Sequence, residues 1–343
     1  MTIIKNILLF LVTTTIIMLV AEFGFRVYSD KALMYDIEMH KYAKKLKRPS
    51  TTPGLSHEHI PGGEANLMGV DVKINNYGLR EAPISKSNND EFRLLILGSS
   101  ITFGWGVPYK QVFTHLLEEK LSHTWKTLPK INVINAGIGN YNTEHAYALY
   151  QKLVSEIKPD LVVLHYFIND AEIVTPTNAG FLVEHSYLAA FFYIRIKQIL
   201  FARGSEIKNL GDYYLRLYQD DATGWQTTKN MISNFHQASL KLNQPFIVLM
   251  QPDLHDLSKG SGQETCHTIL KAFLNEKEIR TCDLLPAFRD AYGGNPQVLW
   301  TARDDSHPNA QGHALMAQIF HEYLLKEFPA YRLTDSVSPS SEH

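Results

Sequence analysis

The chain is poor in cysteine, has almost no net charge and lacks the familiar glycine motifs of nucleotide-binding proteins. Cys266 and Cys282 are its only cysteines, so at most one disulfide can form. One disulfide and two buried thiols both fit the pattern, and neither fixes the redox compartment. A net charge of −2 leaves no electrostatic footprint for a nucleic-acid partner. No P-loop, GxGxxG or GxSxG sequence occurs. The strongest metal-like spacing is His57-Glu58-His59; set in a Pro/Gly-flanked stretch, it reads as a solvated polar loop. Long apolar runs are also scarce. A single one, Asn6 to Phe25, is long enough to span a bilayer.

Apolar residues nevertheless make up 45% of the 343, enough for the core of one large domain with extensions. That domain is organised around Glu91 to Gly106, EFRLLILGSSITFGWG. Phe92 to Leu97 is an almost continuous apolar run, as expected of a strand buried on both faces of a parallel sheet. It stops at Gly98-Ser99-Ser100, and a helical pattern follows at Lys110 to Ser122. Small residues between strand and helix set free backbone N–H groups where open α/β sheets bind ligands. A serine there becomes a nucleophile if a histidine reaches it; a tight turn that needs small residues is the plainer alternative. The alternation continues. Strands are expected at Ile131–Asn135, Leu161–Tyr166, Pro245–Met250 and Ile279–Asp283. Helices are expected at Thr143–Ile157, Trp225–Leu242, Gln263–Asn275 and Ala310–Phe328, the last capped by Asn309.

Three more strand or loop ends are polar. INVINAGIGNYNT (Ile131 to Thr143) runs into a Gly/Asn loop, DLVVLHYFIND (Asp160 to Asp170) ends in Asn169-Asp170, and DDSHPN (Asp304 to Asn309) precedes the last helix. Ser, Gly/Asn, Asn and Asp-x-x-His in this order resemble the four blocks of the SGNH (GDSL-type) hydrolases, over roughly Phe92 to Phe328. The resemblance implies an α/β three-layer sandwich with a mostly parallel, flavodoxin-like central sheet, preceded here by a transmembrane helix. It implies that Ser100 is the nucleophile, His307 its base, and Asp304 the carboxylate that orients the imidazole. The oxyanion hole would combine the Ser100 N–H, a second-block N–H from Gly139 or Asn140, and the Asn169 side-chain amide. Such chemistry needs no metal or organic cofactor. The chain departs from the family pattern in three places. Gly98-Ser99-Ser100 stands for Gly-Asp-Ser, Phe167 occupies a glycine place, and N-x-G-x-x-G spacing from Asn135 puts Asn140 on the second-block glycine. Asparagine tolerates a left-handed backbone better than most residues. Among the remaining histidines, His165 reads as a core residue, His313 as a capping or packing residue, and His255 in QPDLHD as a reserve base.

These readings divide the chain into an anchor (1–25), a juxtamembrane helix, linker and edge strand (26–90), the hydrolase domain (91–330) and a Ser-rich tail expected to be disordered (331–343). The anchor lacks a small-x-small cleavage site, which favours an uncleaved span. Lys5 before it and Arg26 and Lys31 after it would place the domain in the cytosol by charge count; the family layout places it outside, in the periplasm. Lys44, Lys45, Lys47 and Arg48 end a helix that fits either anionic headgroups or plain solvent. An aromatic-rich insertion, 171–224, is placed to cover the site mouth or to fill its own core. Three functions follow: an esterase removing acyl groups, most simply acetyl, from a cell-envelope glycan or lipid; an O-acyltransferase to a cell-surface polysaccharide; and an inactive glycan-binding module. The implied partners are an acylated carbohydrate or lipid and the membrane.

Overall fold

The computed structural model describes residues 2–84, 91–174, 180–204 and 209–331. Five strands form one parallel sheet: β1 (Glu91–Gly98), β2 (Lys130–Gly137), β3 (Leu161–Phe167), β4 (Phe246–Gln251) and β5 (Arg280–Asp283), in the order β2-β1-β3-β4-β5. The central strands β1, β3 and β4 are almost wholly buried because helices cover both faces of the sheet. Leu95 and Leu97 belong to one layer, with Leu149 and Leu153 of the helix Thr143–Ile157, Ile232 and Phe235 of Thr223–Lys241, and Leu270 of Gly262–Glu276. Leu94 and Ile96 belong to the other, with Phe113 and Leu117 of Phe113–Thr124 and Met316 and Phe320 of Ala310–Glu327. The result is the expected three-layer α/β sandwich. The two cysteines are free and buried in opposite layers, Cys266 in the first and Cys282 in the second, so the sheet stands between the thiols.

The last helix buries Met316, Ala317, Phe320 and Leu324, one residue off the stripe Leu315, Met316, Ile319, Tyr323 that the apolar spacing suggests. Gly312 and His313 complete that face: the Asn309 side chain accepts from the N–H groups of Gln311 and Gly312, and the cap fixes where the helix starts.

Residues 2–84 are less of an appendage than the sequence suggests. Helix α1 (Thr2–Ala32) is long and apolar enough to cross a membrane, and no part of its most apolar window is buried in the fold. Helix α2 (Tyr35–Leu46) is docked: Ile37, Tyr42 and Leu46 are wholly buried. Tyr42 and Leu46, with Leu67, Val72, Phe103 and Trp105, form a third core beside the sheet's ligand edge. The expected edge strand pairs in a separate hairpin (Glu64–Leu67 with Val70–Lys73), outside the main sheet. The end of the expected basic helix, Lys47 and Arg48, is a strand instead: Lys47–Pro49 pairs with His57–His59 of the expected linker in a second hairpin, and the histidines there are not solvated. His59 is buried between the Tyr42 hydroxyl and the Gly78 carbonyl, while His57 Nε2 meets the Gly139 carbonyl at 2.9 Å. The described residues hold no cluster of metal-ligating side chains. The expected disordered stretch Thr334 to His343 lies outside the described residues.

The aromatic insertion divides. A helix at Tyr187–Gly204 packs against α1: Glu22 accepts from the N–H groups of Tyr187 and Leu188 and from Ser186 Oγ, Phe25 meets Phe191 at 5.3 Å between centroids, and Arg26 lies 4.4 Å over the Tyr187 ring. A second helix, Leu210–Leu217, brings Tyr214 to the site cavity.

Candidate active site

Register fixes the site. Gly98 of β1 pairs with Gly137 of β2 and His165 of β3; β1 and β2 end there and β3 two residues later, so their following loops emerge at one edge of the sheet. Glycine is required at 98: a Cβ there would lie 2.1 Å from Thr102 Oγ1 and 2.8 Å from the His165 carbonyl. Ser100 opens the one-turn helix Ser100–Phe103. Its N–H has no intrahelical acceptor, as at any helix start. Asn140 adopts φ +67°, the left-handed conformation expected of a residue standing in a glycine place. Ser100, Asn140 and Asn169 all line one cavity of about 260 Å³.

His307 reaches this cavity from the turn before the last helix. Its Nε2 lies 2.8 Å from Ser100 Oγ. Its Nδ1 lies 2.6 Å from Asp305 Oδ1, and the same oxygen accepts the His307 backbone N–H at 3.1 Å. The carboxylate therefore belongs to Asp305, which corrects the expectation for Asp304. The reason is the local chain path: Asp305–Pro308 is extended and paired with Trp300–Ala302. In that conformation residues two apart share a face, so Asp305 and His307 point the same way while Asp304 is exposed. Asp305 is 3% exposed, and its second oxygen accepts from Trp105 Nε1 at 2.8 Å. Burial alone would push this carboxyl up, but the bonds from His307 and Trp105 outweigh it and hold the group below its ordinary range.

Of the two second-block candidates, Gly139 is excluded, since its N–H donates to the Tyr42 hydroxyl at 2.9 Å. A Cβ on Gly139 would meet the Tyr42 ring at 2.6 Å. The Asn140 N–H and the Asn169 side-chain amide have no hydrogen-bond partner among the described residues and remain available to a ligand. His165 bonds Thr102 Oγ1 and His313 accepts the Phe113 N–H; both are core histidines. His255 lines the cavity.

Sequence reasoning missed what α2 contributes. Tyr35 and Met39 line the cavity, and the Tyr35 ring sits 5.8 Å from the His307 ring and 6.3 Å from that of Trp105. Trp105, five residues past the nucleophile, was also unmarked. Arg80 holds that loop from beneath, donating to the carbonyls of Phe103, Gly104 and Val107.

A serine hydroxyl against an imidazole that a buried carboxylate holds, at the C-terminal ends of parallel strands, is the arrangement of a serine hydrolase. The profile of the GDSL-like Lipase/Acylhydrolase family matches residues 96–315, and the chain belongs to that family, whose enzymes act on ester bonds. No curated protein matches it in sequence. Among solved structures it is similar to a two-domain esterase, CEX, active on acetylated mannans (15% identity, TM-score 0.44, covering 71% of this chain). The match spans 51% of that longer chain. It is also similar to TesA (18%, TM-score 0.43, 68% of this chain and 97% of that one). A third is Axe2, an acetylxylan esterase from Geobacillus stearothermophilus (18%, TM-score 0.44, 69% and 93%).

Proposed function

We propose that this protein is a membrane-anchored serine esterase that removes acyl groups, most simply acetyl, from a cell-envelope glycan or lipid. The observation that carries the reading is the continuous chain of contacts from Ser100 Oγ through His307 to Asp305. With Nδ1–H bonded to Asp305, the lone pair of His307 Nε2 faces Ser100. It takes the hydroxyl proton as Oγ attacks the acyl carbon, and Asp305 stabilises the resulting imidazolium. The oxyanion is received by the N–H groups of Ser100 and Asn140 and by the Asn169 amide, each donor contributing about 10²–10³ in rate. Water then releases the acyl group by the reverse proton path.

A retained anchor, rather than a cleaved leader, is supported by Glu22, Phe25 and Arg26, which are held by the helix Tyr187–Gly204 and would leave with a leader. The outward orientation follows the family layout. C-terminal phosphatase and β-galactosidase fusions test it: an active phosphatase with a silent β-galactosidase is expected, and the opposite pair overturns it. For the chemistry, full-length protein in detergent is expected to hydrolyse p-nitrophenyl acetate, with Ser100→Ala reducing turnover below about a tenth of wild type at an unchanged melting temperature. A Ser100→Ala variant that keeps its turnover removes the assignment.

A further inference from the structure

Outside the Ser100–His307–Asp305 chain, the same cavity holds a second aspartate–histidine pair on the loop after β4. Its bonds repeat those of the first. Asp253 Oδ1 accepts from the backbone N–H of His255 at 3.0 Å and meets its Nδ1 at 2.7 Å. Asp253 Oδ2 accepts from the Tyr214 hydroxyl at 2.6 Å, as Asp305 Oδ2 accepts from Trp105. Both carboxylates are 3% exposed. Gln263 fixes the loop, accepting the Asp253 N–H and donating to its carbonyl. The Trp300 ring packs edge-on against the imidazole at 5.2 Å. With Nδ1–H turned to Asp253, Nε2 is the free atom; no residue described bonds it, and the side chain is about half exposed where the cavity opens. A turn that only needed capping would not require a buried carboxylate with its second oxygen also bonded.

We propose that His255 is a second acid–base group of this site, serving the alcohol oxygen of the substrate while His307 serves Ser100, so that the enzyme is built for esters of alkyl alcohols such as sugar hydroxyls. The proposal rests on Ser100 as the nucleophile. In acylation, Ser100 Oγ bonds the acyl carbon and gives its proton to His307, while protonated His255 gives a proton to the alcohol oxygen as the acyl–oxygen bond breaks. In deacylation, neutral His255 takes a proton from the incoming water, the acyl–Oγ bond breaks, and His307 returns its proton to Ser100. Each histidine ends as it began. The bond from Asp253 raises the proton affinity of His255 against the opposing effect of burial, which suits the acid form that starts the cycle. An alkoxide leaves poorly without a proton, whereas p-nitrophenolate leaves without one, and this difference provides the test.

kcat/KM, which reports acylation, is measured for full-length wild type, His255→Gln, His255→Asn and Asp253→Asn. The substrates are p-nitrophenyl acetate and an O-acetylated methyl glycoside, and the rate of Ser100 labelling by a fluorophosphonate is followed beside them. The expected result is a loss of about 10²–10⁴ on the glycoside acetate for both His255 variants, the range of a lost general acid, with less than about threefold change on the aryl ester and in labelling. Equal losses on both esters make His255 a cavity wall and overturn the proposal, as does an unchanged glycoside rate. A wild type that is not labelled at Ser100 removes the nucleophile assignment and this proposal with it. A labelled wild type with indifferent His255 variants removes the proposal alone.

Discussion

At the scale of single residues, two neighbouring aspartates have opposite fates: Asp305 is buried against His307 and Asp304 is exposed. Asp305→Asn preserves shape but offers His307 an amide, which stabilises the wrong tautomer; the same exchange in another serine enzyme costs about 10⁴ in rate. Asp304 is exposed and its replacement by Asn is expected to change kcat/KM by less than about tenfold, a surface effect. Assay of both variants on one acetyl ester checks the pair, and a larger loss at Asp304 contradicts the extended geometry of Asp305–Pro308. The motif DDSHPN made the histidine legible but not its partner. Asp-x-x-His spacing suits a folded turn and Asp-x-His an extended segment, and only the pairing with Trp300–Ala302 decides between them. Trp105 was illegible for a different reason: nothing in GWG marks an indole that will meet a carboxylate 200 residues away. Trp105→Phe is expected to lower kcat/KM by leaving Asp305 Oδ2 unpaired, while melting shows a cost of about 1–3 kcal/mol for the orphaned oxygen.

Among the elements, the sheet was readable because a strand covered on both faces needs a short apolar run, and the runs at Phe92–Leu97, Leu161–Tyr166 and Phe246–Met250 all lie in strands. Helix α2 was misread because its spacing fits a helix on any apolar support, and the support comes from two separate places: the nucleophile loop and the hairpin at 64–73. Its Tyr42 links them. His59 Nδ1 donates to the Gly78 carbonyl, so its Nε2 accepts the Tyr42 hydroxyl proton, and the hydroxyl in turn accepts the Gly139 N–H. Tyr42→Phe removes both bonds from a buried site and orphans two groups. Chemical denaturation is expected to show a loss of about 2–6 kcal/mol, taking about 1–3 kcal/mol for each orphan. A loss below half a kilocalorie would mean that α2 does not hold the Gly139–Asn140 loop.

Seen whole, the molecule carries buried neutral histidines that tie its stability to pH. Burial lowers His59 and His313 to about 3 and His165 to about 4. Their ordinary value is near 6.5, so between that pH and the lowered values the unfolded chain binds protons that the folded chain refuses. Stability therefore falls as pH drops below about 6.5, by up to about 1.4 kcal/mol per pH unit for each such group. Replacing His59 with Gln is expected to make the pH dependence of unfolding shallower than wild type over pH 6.5 to 4; parallel curves would contradict the buried neutral state. The histidines were visible in the sequence, yet HEH reads as a solvated loop until α2 closes over it. The account as a whole depends on one covalent event. Full-length protein treated with a fluorophosphonate and mapped by peptide mass spectrometry is expected to carry a single modification, on Ser100, that forms as esterase activity disappears. Modification of another residue, or full acetyl-ester hydrolysis with Ser100 left unmodified, would contradict it.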